Sequence, residues 1–338
     1  MVRVGVIGLG MMGLTHLDAY SKMDDVEIVA IADVDEDRLH GRTLATGNVE
    51  GQVQGAFDFA SVKKYNDGKK LIRNKHIDLV DVCLITPLHL EFGRAVLHSG
   101  KHLMIEKPLA RTYREAKKLA EASQRAAGFA MPGQCMRFWP QWVWLKQAID
   151  DGRFGKPLAA TFRRLSSHPG GAFYRNGDAC GGALLDLHVH DTDFVHFCFG
   201  VPRSVSSTGY SKITNAVDHV ITHYDYEDGP MVVAEGGWAM TDGFGFSLSY
   251  SANFERATAV YDMAAETPLI LYEQDKAPQA IDAGEGIGYE HELAYLINCI
   301  KTHQAPSTVT LADAALSVKI AEAEAISVAT GRPVKIQV

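Results

Sequence analysis

The stretch "VRVGVIGLGMMG", Val2 to Gly13, decides the fold. Its first half is apolar and rich in β-branched residues, the composition of a strand buried on both faces of a parallel sheet. It runs directly into Gly8-Leu9-Gly10-Met11-Met12-Gly13, a G-x-G-x-x-G. Such a loop makes a tight turn at its first glycine and lets a pyrophosphate approach backbone at its second. Its third glycine lets the following helix lie close to the strand, with the helix N-terminus on the phosphates. The context agrees: a helical segment "LTHLDAYSKM" follows, then a second apolar strand "VEIVAIAD" that ends on Asp33, twenty positions beyond Gly13. A carboxylate there accepts hydrogen bonds from an adenosine ribose and repels a 2′-phosphate, so NAD is expected and NADP is the weaker candidate.

Outward from this unit the alternation continues. "HIDLVDVCLITP", "HLMIEKP" and "FAMPGQ" read as strands. "EFGRAVLHSG" reads as a helix closed by Gly100, and "TYREAKKLAEASQRAAG" as one capped by Thr112 and stopped by Gly128. Strands alternating with helices predict a doubly wound parallel sheet over residues 1–127. Residues 44–62 are Gly-rich and weakly periodic, so a loop is expected. Ligands of such sheets sit beyond the carboxyl ends of the strands. That rule selects Gly8–Gly13 with Met11 and Met12, the turn "ITPLH" with Thr86, and "EKP" with Glu106 and Lys107. Lys107, at a strand end and held by Pro108, is then expected beside a nicotinamide.

Residues 128–338 differ. After a helix at "PQWVWLKQAIDDG" come seven strand-like segments, from "LAATFRRLSS" to "PLILYEQ", and only one helical segment, Gly182–Phe199, interrupts them. Contiguous strands predict a large antiparallel sheet in an α+β domain, and its uncovered face predicts a homodimer or homotetramer. The interrupting segment, "GGALLDLHVHDTDFVH" from Gly181 to His196, holds three Asp and three His. On one continuous helix Asp186, His190 and Asp193 share a face, whereas His188, Asp191 and His196 point elsewhere. His residues at i and i+2 diverge, and no H-E-x-x-H completes a ligand set, so no metal site is expected. A carboxylate–imidazole pair suits proton transfer, and a Lys ammonium suits stabilisation of a developing alkoxide. Lys107 and His190 belong to different predicted domains, which suits a site at the domain interface.

The chain has 338 residues, 46% of them hydrophobic and 22% charged, and a formal net charge of −8, a globular balance long enough for two domains. The acidic charge without a basic run argues against nucleic acid or an anionic membrane surface as the main partner. No apolar run is long enough to span a bilayer, and the N-terminus reads as a strand rather than a signal peptide. Five Cys, odd in number and without a C-x-x-C, suggest reduced thiols and a cytoplasmic setting.

"GVIGLGMMGLTH", "EKPLA" and "GGALLDLHVHDTD", in this order, resemble the glucose–fructose oxidoreductase / inositol dehydrogenase (Gfo/Idh/MocA) family, and the resemblance runs through to the ending "ATGRPVKI". It implies a Rossmann domain, an α/β domain with a large open sheet, and NAD(P)-dependent redox chemistry on the hydroxyl or carbonyl carbon of a sugar or polyol. By position it implies Lys107, Asp186 and His190 as catalytic residues and His89 among the cofactor contacts. It implies Met136, Arg137, His168 and Asp193 on the substrate side. The chain departs from the family at Ile85-Thr86, where Pro-Asn or Pro-Thr is common, and at Ala183, where a third glycine is usual. Two other activities share the scaffold: an NAD-dependent glycosidase that oxidises its substrate transiently, and a nucleotide-sensing regulator without catalysis.

Overall fold

The computed structural model describes residues 1–43 and 57–337. In chain order the first elements are β1 Val2–Ile7, α1 Met11–Ser21, β2 Val26–Ala32, α2 Glu36–Leu39, β3 Lys63–Tyr65 and α3 Gly68–Ile72. Then come β4 Leu79–Val82, α4 His89–His98, β5 His102–Ile105, α5 Tyr113–Ser123 and β6 Ala130–Pro132. Next are α6 Pro140–Asp150, β7 Pro157–Ser167, α7 Gly171–Arg175, α8 Gly177–Cys180, α9 Gly182–Asp186 and α10 Val189–Phe199. The strands β8 Ser204–Tyr210, β9 His219–Asp225, β10 Met231–Met240, β11 Phe246–Phe254, β12 Ala257–Asp262, β13 Leu269–Glu273 and β14 Gln279–Ala280 follow. The chain closes with α11 Gly288–Thr302, α12 Leu311–Thr330 and β15 Val334–Lys335.

These elements form two compact units: Met1–Cys135 with Ile287–Ala315, and Met136–Gly286 with Leu316–Val338. The sequence divides at 127/128; the structure keeps β6 with the first unit and returns α11 to it. The return has a packing cause. α11 lies against α1 and β1, burying Leu293, Leu296 and Ile297.

The first unit is a six-stranded parallel sheet in the order β3-β2-β1-β4-β5-β6. The order reverses between β1 and β4, where ligands of doubly wound sheets bind. The central strands are apolar on both faces: Val4, Val6, Leu79, Val80, Val82 and Leu103 to Ile105 are buried. The strand β3 and helix α3 were not legible as separate elements. Most of the loop expected over 44–62 lies outside the described residues, and 57–62 forms turns leading into β3. The helix α5 starts at the predicted cap, with the Thr112 hydroxyl accepting from Glu115 N, but it ends at Ser123. Gly128 is therefore not its stop. A Cβ at Gly128 would lie 2.2 Å from the Lys101 carbonyl oxygen, so close passage of two backbones explains the glycine.

The second unit carries a nine-stranded sheet, ordered β14-β13-β12-β11-β7-β10-β9-β8-β15. It is antiparallel except where β7 and β10 pair in parallel. Alternation along β7 buries Ala160, Phe162 and Arg164 and exposes Thr161 and Arg163. The buried face meets α10, and Trp142 on α6 stands edge-on to Phe194, Tyr250 and Tyr261. On the other face Ile221, Met231, Val260 and Tyr272 are exposed.

The helical segment expected over Gly182–Phe199 is broken. Leu187 and His188 separate α9 from α10, and His188 N donates to Ala183 O, five residues back, at 2.8 Å. The break turns the fully buried His188 ring onto β10. A Cβ at Gly236 would lie 2.5 Å from its Nδ1, so only glycine leaves room for the ring there.

Candidate active site

In the first unit the three loop glycines do different jobs. Gly8 has φ +95°, and a Cβ on it would lie 2.5 Å from Cys83 O, so the turn and the close approach of β4 both demand glycine. At Gly13 a Cβ would lie 1.9 Å from Gly8 O, which fixes the close seat of α1 on the loop. Gly10 caps α1 without a side-chain hydrogen bond, and a Cβ there would meet nothing within 4 Å. This is an open cradle in front of a helix N-terminus, the arrangement that takes a pyrophosphate. Asp33 follows β2 with its side chain only 7% exposed. One oxygen accepts from Leu9 N at 2.7 Å and braces the loop; the other accepts from Asp35 N at 2.9 Å. Arg38 lies 3.9 Å from Asp33 and 3.7 Å from Asp35, so its charge is matched by two carboxylates.

Two further strand ends belong to the same unit. After β4 a 3-10 turn, Thr86–Leu88, buries Thr86 and leads into α4. His89 opens α4 and is buried, with Nδ1 2.9 Å from Pro108 O and Nε2 2.8 Å from Leu84 O. Both ring nitrogens therefore face protein carbonyls, and the ring clamps the end of β4 to the residue after Lys107. Burial pushes its pKa below the usual histidine value, against the two carbonyl contacts, which raise it. After β5, Lys107 is half-buried and precedes a cis Pro108. Its backbone N–H donates to Glu106 Oε2 at 3.0 Å.

In the second unit the polar residues of the stretch fall into several groups. Arg137 donates to both oxygens of Asp193 at 2.8 Å, and the Ser317 hydroxyl donates to Oδ1 at 2.8 Å. Arg137, Asp193 and the neighbouring Met136 are all buried. Burial alone would raise the Asp193 carboxyl; the Arg137 charge and hydrogen bonds from His196 and Arg137 overcome it and hold it well below the usual range. Sequence places Arg137 and Asp193 on the substrate; the structure places them on each other. His168 is occupied in the same way: Nδ1 accepts from Gly170 N at 3.0 Å, Nε2 faces Tyr174 O at 3.2 Å, and the ring is edge-on to Trp238. Asp191 pairs with Arg164 at 2.8 Å, and His196 Nε2 meets Ser317 Oγ at 3.0 Å. Asp186 ends α9 half-exposed, and His190 lies just past the break, 6% exposed. The shared face expected for Asp186, His190 and Asp193 assumed one helix, and the break at Leu187–His188 removes that assumption.

Behind α10 lies a group not foreseen from sequence. Glu324 of α12 accepts from the Thr192 hydroxyl at 3.1 Å and lies 3.6 Å from His188 Nε2. Burial pushes its carboxyl up to about 8, against hydrogen bonds from Tyr224 and Thr192. Burial pushes His188 down to about 4, against Asp191. Both shifts favour the uncharged forms, so the contact lacks the charges of an ion pair as burial drives each group toward neutrality.

Residues 2–134 match a family model described as an oxidoreductase family, NAD-binding Rossmann fold, and residues 142–260 match the GFO/IDH/MocA C-terminal domain. The chain belongs to the GFO/IDH/MocA family. A myo-inositol 2-dehydrogenase of Thermotoga maritima is 32% identical over 59% of this GFO/IDH/MocA chain and 55% of its own length. An inositol 2-dehydrogenase of Salmonella typhimurium is 27% identical over 58% of the chain and 54% of its own length. The alignments thus span about half of these two relatives. The scyllo-inositol 2-dehydrogenase (NAD(+)) of Bacillus subtilis is 24% identical over 100% of the chain and 97% of its own length. Among solved structures, levoglucosan dehydrogenase in complex with NADH and levoglucosan shares the GFO/IDH/MocA fold, with a TM-score of 0.86 at 20% identity and 99% of each chain covered.

Two outcomes are expected. Asp33→Ser should narrow the preference for NAD⁺ over NADP⁺ in titration calorimetry, because it removes the repelling carboxylate and leaves Arg38 available to a 2′-phosphate; an unchanged ratio contradicts that role. Glu324 has a folded pKa raised above its unfolded value, so the stability it contributes is fully present below about pH 4.3 and is lost as pH rises toward 8. Glu324→Gln should therefore melt increasingly above the unaltered protein from about pH 5 to pH 8, by about 3 °C or more at the upper end. A gap that does not grow with pH would place an ionised carboxylate there.

Proposed function

We propose that the protein is an NAD-dependent dehydrogenase that oxidises a secondary hydroxyl of a polyol or sugar, or reduces the corresponding carbonyl. The observation that carries this reading is the placement of Lys107. It stands at the carboxyl end of β5, in the unit that presents the Gly8–Gly13 cradle, with backbone fixed by Glu106 and the following residue fixed by His89. The cradle, Thr86 and Asp33 are where the dinucleotide would be held, with Asp33 on the adenosine ribose. When bound, NAD supplies the nicotinamide that accepts or returns the hydride.

The chain's own residues perform the rest. Lys107 Nζ donates to the substrate oxygen and stabilises the negative charge that grows as the C–H bond breaks. His190 takes the hydroxyl proton, and Asp186 orients the imidazole or a neighbouring hydroxyl. Met136 lines the approach, while Arg137, Asp193 and His168 act indirectly by fixing the frame of the second unit. The inositol dehydrogenases among the relatives support a polyol as the substrate class. Among the described residues no helix is long and apolar enough to cross a membrane. The net charge of −8 and the odd cysteine count support a small-molecule enzyme of the cytoplasm rather than a nucleic-acid partner.

We assign the outer face of the nine-stranded sheet to contact with a second copy, as a homodimer or homotetramer, because Ile221, Met231, Val260 and Tyr272 lie exposed on it. Light scattering that returns the single-chain mass of 36.9 kDa would contradict this. For the chemistry, turnover of NAD⁺ with a panel of myo-inositol, scyllo-inositol and aldoses should appear as NADH absorbance. Lys107→Ala and His190→Ala should each lower kcat by about 10²–10⁴-fold with circular dichroism unchanged. Retention of turnover within about tenfold in either variant would remove that residue from the proton chemistry.

A further inference from the structure

His16 lies on α1, one turn beyond Gly13, with its side chain buried. Nδ1 is 2.8 Å from Asp81 Oδ2, an oxygen that also accepts from the Tyr20 hydroxyl at 3.0 Å. Cys83 Sγ completes this side, 3.3 Å from Asp81 Oδ1 and 3.4 Å from His16 Nδ1. On the other side of the ring, Nε2 is 3.3 Å from Glu106 Oε1. The second Glu106 oxygen is the one that accepts Lys107 N. Hydrogen bonds thus join His16 to Asp81 and Glu106 to the backbone of Lys107, and between the two the His16 Nε2–Glu106 Oε1 step is a 3.3 Å contact without a hydrogen bond.

Glu292, from the returning helix α11, is fully buried. A carboxylate oxygen of Glu292, one of Glu106 and a ring nitrogen of His16 all lie within 4.8 Å of one another. Among the described residues neither Glu292 oxygen has a hydrogen-bond partner. The charges can be assigned from contacts. Both His16 nitrogens face carboxylate oxygens, at 2.8 Å to Asp81 and 3.3 Å to Glu106, surroundings that favour the imidazolium. One imidazolium then balances one of the two carboxylates, Asp81 and Glu106, so a third ionised carboxylate would add a buried negative charge without a donor.

We propose that His16 is a positioning residue for the dehydrogenase reaction, tying the dinucleotide-loop helix to Lys107 through Glu106, and that Glu292 completes this network as a neutral acid. The proposal deepens the functional reading above and rests on it for the role of Lys107. The titration directions agree with the contacts. Burial opposes a charged His16, but the Asp81 charge and the side-chain contacts with Asp81 and Cys83 raise its pKa well above the usual value. Burial pushes Glu292 well above the carboxylate range, Glu106 reinforces this, His16 opposes it and Asp81 adds to the rise.

The test uses the full chain, with NAD⁺ and myo-inositol for turnover, NADH for binding, and melting for the acid. His16→Gln should lower kcat about tenfold or more, while the Kd for NADH shifts by about threefold or less. Glu106→Gln should do the same, and the double variant should lose no more than the worse single variant, since both interrupt one path. A structural role alone would lower Tm and leave kcat of the folded enzyme unchanged, and multiplied losses would mean independent effects; either result overturns the positioning role. Glu292→Gln should melt at or above the unaltered protein, with a gap that widens from about pH 5 to pH 8, because a carboxyl raised in the folded state loses its contribution as pH rises above about 4.3. A lower Tm at every pH, or a stoichiometric metal in the purified protein, would overturn the neutral-acid assignment. Loss of turnover in Lys107→Ala without loss in His16→Gln would defeat this proposal alone. Undiminished turnover in Lys107→Ala, or none in the unaltered enzyme, would defeat the functional reading and the positioning role together, while melting of Glu292→Gln still decides the acid.

Discussion

One hydrogen bond organises the first unit: Lys107 N to Glu106 Oε2 at 3.0 Å. The strand β5 ends one residue before Glu106, so this hydrogen bond holds the backbone where the strand ladder stops, just before Lys107. The glutamate closes that end with its own side chain, and its other oxygen is held against His16. His89 performs the complementary task one residue later, on Pro108 O. The lysine side chain is thereby carried on a backbone constrained from both sides. Pre-organisation of this kind lets a charge stabilise a transition state without reorganising at the moment of reaction.

The second unit solves a different problem. Its sheet buries Arg164 and receives Asp191, Asp193 and Arg137 into the same interior. Buried charges are tolerated only in pairs with good geometry, and both pairs form close, two-point contacts. At Glu324 and His188 burial acts the other way and shifts each group toward its neutral form. The result is a rigid interior around the α9–α10 break, where Asp186 and His190 are carried. The break needs Gly236 opposite it, because the displaced His188 ring occupies the volume a side chain would fill.

Much of this was legible in the sequence. The parallel alternation, the open sheet, the glycine loop and the strand-end positions of Thr86 and Lys107 follow from local pattern, since periodicity and turn chemistry act within a few residues. The helix break was not legible: "LLDLHVHDTD" is a good helical pattern, and only the crowding of His188 against β10 decides otherwise. The partners of Arg137 and Asp193 lie 56 positions apart in the chain, so sequence could nominate both as polar and special but not show that they meet. His16, Asp81 and Glu292 were missed for the same reason. Each comes from a different element, and the return of α11 to the first unit has no local signal.

The central claim is that this geometry serves hydride transfer between a carbinol carbon and nicotinamide, and isotope transfer tests it most directly. myo-Inositol or scyllo-inositol deuterated at its ring carbons would be incubated with the enzyme and NAD⁺, and the recovered dinucleotide examined by proton NMR. The account predicts one deuterium at C4 of the reduced nicotinamide in every molecule formed, with the ketone of the polyol in equal amount. Reduced dinucleotide without the label, or cleavage of a glycoside with no net reduced dinucleotide, would contradict it.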